Sequence, residues 1–258
     1  MSAERDSDEA IQVAVDIDGD AVAITGASSG IGATTAQTLA AAGIDLALGA
    51  RREDKLADLA TDLEAEHGVT VEAVSVDVTE REQVAAFVEG AAEALDGLDG
   101  VVVNAGVGLD GDLDSMSTED YRTMMAVNVD GAFHTARAAL PHLRESDGTL
   151  VFVASFAGEY PRPGNPVYAA SKWWVRGFAH SLEGSVGPDG VAVSVINPTE
   201  VRTEFASEQG ASFEERFDSE DVTDPGAIAD GIRFCLSQEG TDTVSELDLY
   251  RRDKFAGW

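Results

Sequence analysis

The chain has 258 residues, of which 44% are apolar, and its 48 acidic and 17 basic residues leave a formal net charge of -31. Apolar blocks along the whole chain exclude a largely disordered protein, and the length suits one α/β domain. A field this negative repels nucleic acids and anionic membranes, so neither is expected as a partner.

Seven short β-branched runs alternate with amphipathic stretches of ten or more residues. The predicted strands are 21–25, 45–50, 69–77, 100–104, 149–154, 191–197 and 244–250. The predicted helices are 31–42, 53–67, 81–95, 118–144, 166–186 and 225–237. This alternation predicts an α/β fold, a doubly wound seven-stranded parallel sheet of the Rossmann type with helices on both faces.

Two segments fall outside these elements. Residues 1–20 are charged and are expected to form a loose N-terminal arm, which leaves 21–258 as a single domain. Residues 199–223 have no periodicity and form the longest gap between elements. In a compact α/β domain a gap of this length often indicates an active-site lid.

The first strand leads into the first helix through a glycine-rich turn, TGASSGIG at 25–32. Gly26 permits a tight turn, Gly30 lets N–H groups approach a pyrophosphate, and Gly32 lets the helix pack closely on the sheet. Any strand-to-helix turn can use glycine. Its place after the first strand of an alternating chain nevertheless favours a dinucleotide site.

The end of the second strand indicates which dinucleotide is bound. NAD enzymes usually carry an acid there for the ribose diol, whereas this chain has Arg51 and Arg52. Because a guanidinium can pair with a 2′-phosphate through two hydrogen bonds, the sequence predicts NADP(H) as the cofactor. The alternative is a pair of solvated loop arginines.

A tyrosine and a lysine lie one turn apart at the start of the fifth predicted helix. At this spacing Tyr168 and Lys172 share a face, and the ammonium can lower the pKa of the phenol. The spacing alone is also typical of a packing tyrosine beside a surface lysine. Three polar residues favour catalysis: Ser155 and Asn104 end strands at the carboxyl edge of the sheet, and Asn128 interrupts a helical run.

In order and spacing these motifs resemble those of the short-chain dehydrogenase/reductase family, from about residue 20 to the C-terminus. They are TGASSGIG at 25–32, Asp77-Val78, NAG at 104–106, NVDG at 128–131, Ser155, YAASK at 168–172, and Pro198 with Thr203. Two positions depart from the family pattern. Thr199 stands where glycine usually follows the proline, and Val103 stands where the family has the first of two asparagines.

The resemblance implies four catalytic residues. Tyr168 is the general acid/base and Ser155 orients the substrate oxygen. Lys172 lowers the pKa of Tyr168 and binds the nicotinamide ribose, and Asn128 holds a proton-relay water.

The resemblance also extends the cofactor site beyond the glycine turn and the two arginines. It implies that Asp77 contacts the adenine, Asn104 the adenosine ribose side and Thr203 the carboxamide. The whole predicted cofactor surface is Gly26, Ser28, Ser29, Gly30, Ile31, Gly32, Arg51, Arg52, Asp77, Val78, Asn104, Ala105, Gly106, Tyr168, Lys172, Pro198, Val201 and Thr203.

Within the family, segments 164–168, 203–205 and 244–247 resemble the branch of NADP-dependent 3-hydroxy acid and serine dehydrogenases. The expected substrate is therefore a small alcohol or carbonyl compound, foremost a 3-hydroxy acid or related secondary alcohol. Arg162, Arg202 and Arg251 are the candidates for a substrate carboxylate. The alternatives are a ketone, a sugar or an acyl thioester and, in another class, a catalytically silent NADP-binding sensor.

The charge pattern is typical of a halophile's protein surface. The chain has only three lysines, Lys55, Lys172 and Lys254, and its carboxylates are scattered along the sequence, in every predicted helix except the first. Their repulsion reaches about 10 Å at 0.1 M salt but only about 3 Å at 1 M, so the fold is expected to need molar salt. The alternative is an acidic protein from an ordinary cytoplasm.

The remaining features indicate a cytoplasmic enzyme without a metal. Cys235 is the single cysteine, no apolar signal core or membrane-length run is present, and the four histidines are scattered. Trp173 and Trp174 follow Lys172 on a helix that members of the family commonly use for subunit contacts. This predicts a homo-oligomer, a tetramer or a dimer.

Overall fold

The computed structural model describes residues 20–109, 111–203, 222–238 and 240–255. The strands are β1 Ala21–Thr25, β2 Asp45–Ala50, β3 Val71–Ser75, β4 Gly100–Val103, β5 Thr149–Val153, β6 Ala192–Pro198 and β7 Glu246–Leu249. The α-helices are α1 Gly30–Ala40, α2 Glu53–His67, α3 Arg81–Ala94, α4 Thr118–Met125, α5 Gly131–Ser146, α6 Pro166–Val186 and α7 Pro225–Leu236.

All seven strands form one parallel sheet in the order β3-β2-β1-β4-β5-β6-β7. The predicted Rossmann-type α/β fold is confirmed. The predicted bounds of β1, β2, α2 and α6 coincide with the observed ones, and the other bounds differ by one or two residues. The predicted helix 118–144 is instead divided into α4 and α5 by a π-helical turn, Ala126–Asp130.

Each face of the sheet is covered by helices and an apolar core. On one face α3, α5 and α6 pack against the sheet around a core that includes Phe87, Leu143 and Phe152. On the other face α1, α2 and α7 pack around a second core that includes Leu39 and Cys235. Because the central strands are buried on both sides, they are nearly continuous apolar runs.

The strand order places a topological switch between β1 and β4. Connections leave these neighbouring strands toward opposite ends of the sheet, so a crevice opens at their carboxyl edge. The segments that follow β1, β4, β5 and β6 meet at this crevice. It is the place where open α/β sheets bind their ligands.

Two predicted segments lie largely outside the described residues. They are the N-terminal arm, of which residue 20 alone is described, and the lid, of which residues 204–221 are not described. In the part of the chain that the structure describes, no helix has the length and apolar character needed to cross a membrane. Across the same ranges, no cluster of three His, Cys, Asp or Glu side chains could hold a metal ion.

Candidate active site

A cavity of about 700 Å³ occupies the crevice at the carboxyl edge of the sheet. Every residue of the predicted cofactor and catalytic sets lines this cavity except Gly32 and Asn128, which contact its lining. The fold therefore brings together residues that lie as far apart in the sequence as Gly26 and Thr203.

The glycine turn between β1 and α1 is so tightly packed that side chains are excluded at two positions. Gly26 has a φ of +70°, and a Cβ there would lie 2.8 Å from Ala105 Cα. A Cβ on Gly32 would lie 2.5 Å from the Gly26 carbonyl oxygen. The Ser29 side chain does not cap α1, so the N–H groups of its first turn are left for an anion.

Asn104 holds this turn in place, a role that the sequence did not reveal. Its Nδ2 donates hydrogen bonds to the Thr25 and Gly26 carbonyl oxygens at 2.9 and 3.2 Å. Its backbone N–H donates to Thr25 Oγ1 at 3.2 Å. The end of β4 is thereby locked to the end of β1, while Asn104 still lines the cavity.

The arginines after β2 lie at the same end of the cavity as the glycine turn. Arg52 Nε donates to Ser28 Oγ at 3.0 Å, and its Nη2 donates to Ser29 Oγ. Arg51 and Arg52 are both exposed and both line the cavity. Two positive charges thus stand beside a helix N-terminus, as a phosphate group requires.

Asp77 follows β3 and lines the cavity with Val78. Its Oδ1 accepts hydrogen bonds from Thr79 N–H and Thr79 Oγ1, at 3.0 and 2.8 Å. This pairing fixes the turn that leads to α3. Asp77 therefore shapes the turn in addition to facing the cavity.

The catalytic side is formed by the end of β5 and the first turns of α6. Lys172 is 5% exposed, and its Nζ donates to the Val153 carbonyl oxygen at 2.9 Å. The same Nζ lies 6.0 Å from the centre of the Tyr168 ring. Ser155 Oγ accepts from Ala157 N–H at 3.1 Å, and its hydroxyl also hydrogen-bonds the Tyr168 phenol.

The surroundings of Tyr168 raise its pKa overall. Burial is the largest cause and raises the pKa of Tyr168; Ser155 and Arg162 lower it by smaller amounts, and Glu200 raises it by the smallest amount. Burial also lowers the pKa of Lys172 to about 8. Desolvation of the phenolate thus outweighs the nearby positive charges in the net shift, and the lowering of the Tyr168 pKa by Lys172 stays a prediction.

Asn128 lies in the π-helical turn and is 1% exposed. Its Oδ1 accepts from Val107 N–H at 2.8 Å, and its Nδ2 donates to the Val107 carbonyl oxygen at 2.9 Å and to Ser171 Oγ at 3.0 Å. Ser171 Oγ in turn donates to the Tyr168 carbonyl oxygen at 2.7 Å. Asn128 thus ties the loop after β4 to the catalytic turn of α6.

Sequence reasoning missed a group of charges beside Tyr168. Arg162 Nη2 donates to Glu200 Oε1 at 2.8 Å, and Lys254 Nζ donates to both Glu200 oxygens at 2.8 and 2.5 Å. Burial raises the pKa of Glu200, but these hydrogen bonds outweigh it and hold the pKa at about 2. We call Arg162, Glu200 and Lys254 the ion cluster. No local pattern links them, since 38 and 54 residues separate the pairs.

The other two candidates for a substrate carboxylate are elsewhere. Among the described residues that line the cavity, neither Arg202 nor Arg251 is present. Arg251 Nε donates to Asp253 at 2.9 Å on the surface. Of the three arginines, Arg162 alone lines the cavity, so it is the remaining candidate.

Comparisons with known proteins show the family of the chain. A family model described as short chain dehydrogenase matches residues 20–213. An uncharacterized oxidoreductase of Staphylococcus saprophyticus is 32% identical, over 88% of this chain and 94% of its own length. An alcohol dehydrogenase from the archaeon Thermococcus sibiricus, complexed with 5-hydroxy-NADP, is 32% identical with a TM-score of 0.83, over 89% of this chain and 95% of that one.

A further solved structure extends the likeness. The L-sorbose reductase from Gluconobacter frateurii, complexed with NADPH and L-sorbose, is 28% identical with a TM-score of 0.80. The match covers 92% of this chain and 96% of that one. Together these likenesses show that the chain belongs to the short-chain dehydrogenase/reductase family of oxidoreductases.

Proposed function

We propose that residues 21–258 form a single-domain, NADP(H)-dependent enzyme that transfers a hydride between the nicotinamide and a small secondary alcohol or carbonyl compound. One observation carries this proposal: Ser155, Tyr168 and Lys172 line the same cavity as the glycine turn and the arginines that follow β2. We call the glycine turn with Arg51 and Arg52 the cofactor side. The substrate side comprises Ser155, Tyr168 and the ion cluster.

The cofactor side fits a dinucleotide phosphate. The glycine turn packs closely on its neighbours and lines the cavity, and the first turn of α1 offers N–H groups to an anion there. Arg51 and Arg52 are the residues proposed to hold the 2′-phosphate. The NADP and NADPH complexes of the two solved relatives support this choice. When bound, NADP(H) supplies the hydride acceptor or donor.

The catalytic residues are proposed to divide the proton chemistry among them. In oxidation the Tyr168 phenolate takes the proton of the substrate hydroxyl, while the Ser155 hydroxyl orients the substrate oxygen. Lys172, with a pKa of about 8, exchanges that proton near neutral pH and binds the nicotinamide ribose. Asn128 fixes the loop carrying Val107 and is proposed to hold a relay water there. In reduction the same steps run backwards.

The proposed substrate is a 3-hydroxy acid or a related secondary alcohol. Arg162 lines the cavity together with Ser155 and Tyr168, and its charge acts on the Tyr168 phenol, which supports a role in binding a substrate carboxylate. Its Nη2 already donates to Glu200, but the two cations and one anion of the ion cluster leave one net positive charge. A substrate carboxylate would neutralise it.

Initial rates with NADPH and a carbonyl panel test this function. We expect turnover of a 3-oxo acid in molar KCl, with slower turnover of a ketone, a sugar and an acyl thioester. Faster turnover of a neutral compound would make that compound, and not a 3-oxo acid, the proposed substrate. Binding of NADPH with no turnover across a broad panel would favour the sensor alternative.

We also propose a cytoplasmic homo-oligomer, a tetramer or a dimer, that forms through α5 and α6. Trp173 on α6 is 47% exposed and Phe133 on α5 is 40% exposed, whereas Trp174 stacks on Phe178 with ring centres 4.7 Å apart. Trp174 thus belongs to the core side of α6 and Trp173 to its outer side. Light scattering should give a mass above one chain, which Trp173→Glu should reduce.

A further inference from the structure

Glu200 lies beside Tyr168 but has no part in the hydride-transfer scheme above. Its side chain is 23% exposed, and it lines the cavity with Tyr168 and Ser155. With a pKa of about 2 it is ionised at every working pH. A fixed negative charge therefore stands next to a phenol that has to become negative itself during oxidation.

The ion cluster joins three separate segments of the chain. Arg162 comes from the loop after β5, Glu200 follows β6, and Lys254 belongs to the segment after β7. Lys254 is 11% exposed and bonds both oxygens of Glu200. The C-terminal segment thus reaches the active site through one partly buried ion pair.

An aromatic ring orders both cations. The Arg162 guanidinium lies 5.0 Å and Lys254 Nζ lies 4.5 Å from the centre of the Phe156 ring. That ring stacks on Tyr160 at 4.4 Å and meets the edge of Tyr250 at 5.1 Å. Both cations can gain cation–π stabilisation, and neither is free to move far from Glu200.

The charged and polar groups around the Tyr168 phenol act in different directions. Ser155 from the end of β5 and Arg162 from the following loop lower the pKa of Tyr168, and Glu200 from the loop after β6 raises it. Lys172 lies on the same helix as Tyr168. Lys254 bonds Glu200, so its positive charge offsets part of the Glu200 field.

We propose that Glu200 is a positioning residue that raises the proton affinity of Tyr168, and that Lys254 limits this effect from the C-terminal segment. The inference rests on the proposed acid/base role of Tyr168. It makes the C-terminal segment a determinant of the pH dependence of the reaction. Glu200 and Lys254 act through Tyr168 and transfer no proton themselves.

Variants of opposite charge should shift the pH profile in opposite directions. Glu200→Gln removes a negative charge near the phenolate, so the pKa of Tyr168 should fall, whereas Lys254→Met should raise it. Oxidation of a neutral secondary alcohol needs the phenolate. At a fixed pH below the pKa, kcat/KM should therefore rise about two- to fivefold in Glu200→Gln, the range for one partly exposed charge, and fall in Lys254→Met.

The matched control is Arg251→Gln, which removes a positive charge from the same C-terminal segment. Arg251 pairs with Asp253 and not with Glu200, so the pH profile of kcat/KM in Arg251→Gln should match that of the wild type. Because Lys172 titrates near pH 8 in the wild type, the whole profile is compared at constant molar salt. A faster Glu200→Gln enzyme is a result that structural damage alone would not give.

A second measurement needs no activity. Titration of tyrosinate absorbance, with the same variant carrying Tyr168→Phe subtracted, should show the two opposite shifts directly. Unshifted titrations, or shifts of the same sign in Glu200→Gln and Lys254→Met, would overturn the inference even if the wild type is active. Opposite shifts in a protein that turns over no substrate would support the inference on proton affinity and count against the proposed function.

Discussion

The cofactor side of the cavity is built mainly from backbone, whereas its substrate side is built from charged side chains. The glycine turn and the first turn of α1 offer N–H groups and a close-packed backbone within eight residues of sequence, TGASSGIG. The ion cluster instead joins three loops that are far apart in the chain. The backbone cradle responds to a substitution through steric contacts, as at Gly26 and Gly32, whereas the ion cluster responds to the removal of any one charge.

Lowering the salt concentration is the broadest perturbation, and it should disrupt the cofactor side and the substrate side together. Lowering KCl from several molar to about 0.1 M lengthens the range of repulsion among the 48 acidic residues, so the chain should unfold or lose all activity. Circular dichroism and activity should decline in parallel. Sucrose, which does not screen charge, is the control. A melting temperature that stays flat or rises at low salt would remove the halophile interpretation.

Removing the phenolic hydroxyl should affect the substrate side alone. Tyr168→Phe should lower kcat by roughly 10² to 10⁴, the usual contribution of a general acid/base. NADPH binding, measured by its fluorescence, should persist because the cofactor side is unchanged. A variant that keeps more than half of the wild-type rate would exclude Tyr168 from this role.

Removing the two arginines should affect the cofactor side alone. Wild type should prefer NADP(H) over NAD(H) by roughly 10- to 1,000-fold in kcat/KM, from two charge-assisted contacts of about 1.5 to 3 kcal/mol each, weakened by exposure and salt. Arg51→Ala/Arg52→Ala should lose most of this preference. The matched control, Arg81→Ala/Arg122→Ala, removes two exposed arginines outside the cavity lining and should keep it.

The smallest expected effect concerns the proposed substrate carboxylate. Arg162→Ala should raise KM for a 3-hydroxy acid about tenfold more than KM for a neutral secondary alcohol, which is the lower end for a charge-assisted bond because Glu200 shares the guanidinium. Arg162→Lys keeps the charge and should recover part of the loss. Equal changes in KM for both substrates would make Arg162 purely structural.

The sequence was sufficient for the features that depend on neighbouring residues. Periodicity and end signals located β1, β2, α2 and α6 to the residue, since each has an uninterrupted pattern between clear boundaries. The close packing of the short glycine turn could likewise be predicted from its own residues. Asn128 was conspicuous because it interrupts an apolar helical run, and the structure has both a π-helical turn and an anchored amide there.

The features that could not be predicted depend on contacts made by the fold. Nothing near Glu200 in the sequence indicates Lys254, which arrives from the end of the chain. The sign of the Tyr168 pKa shift also required the fold, because helical spacing shows Lys172 but not the burial that opposes it. Asn104 was expected to contact the cofactor, yet its bonds to the glycine turn appear only when β1 and β4 are adjacent.

The most direct test of the central claim follows the hydride itself. NADPH carrying deuterium at both C4 positions of the nicotinamide is incubated with the best carbonyl substrate in molar KCl, and the product alcohol is analysed by mass spectrometry. Transfer between the two sides of one cavity predicts one deuterium on the carbinol carbon, strongly reduced in Tyr168→Phe. Product without deuterium, or with hydrogen at that carbon drawn from water, would contradict the account.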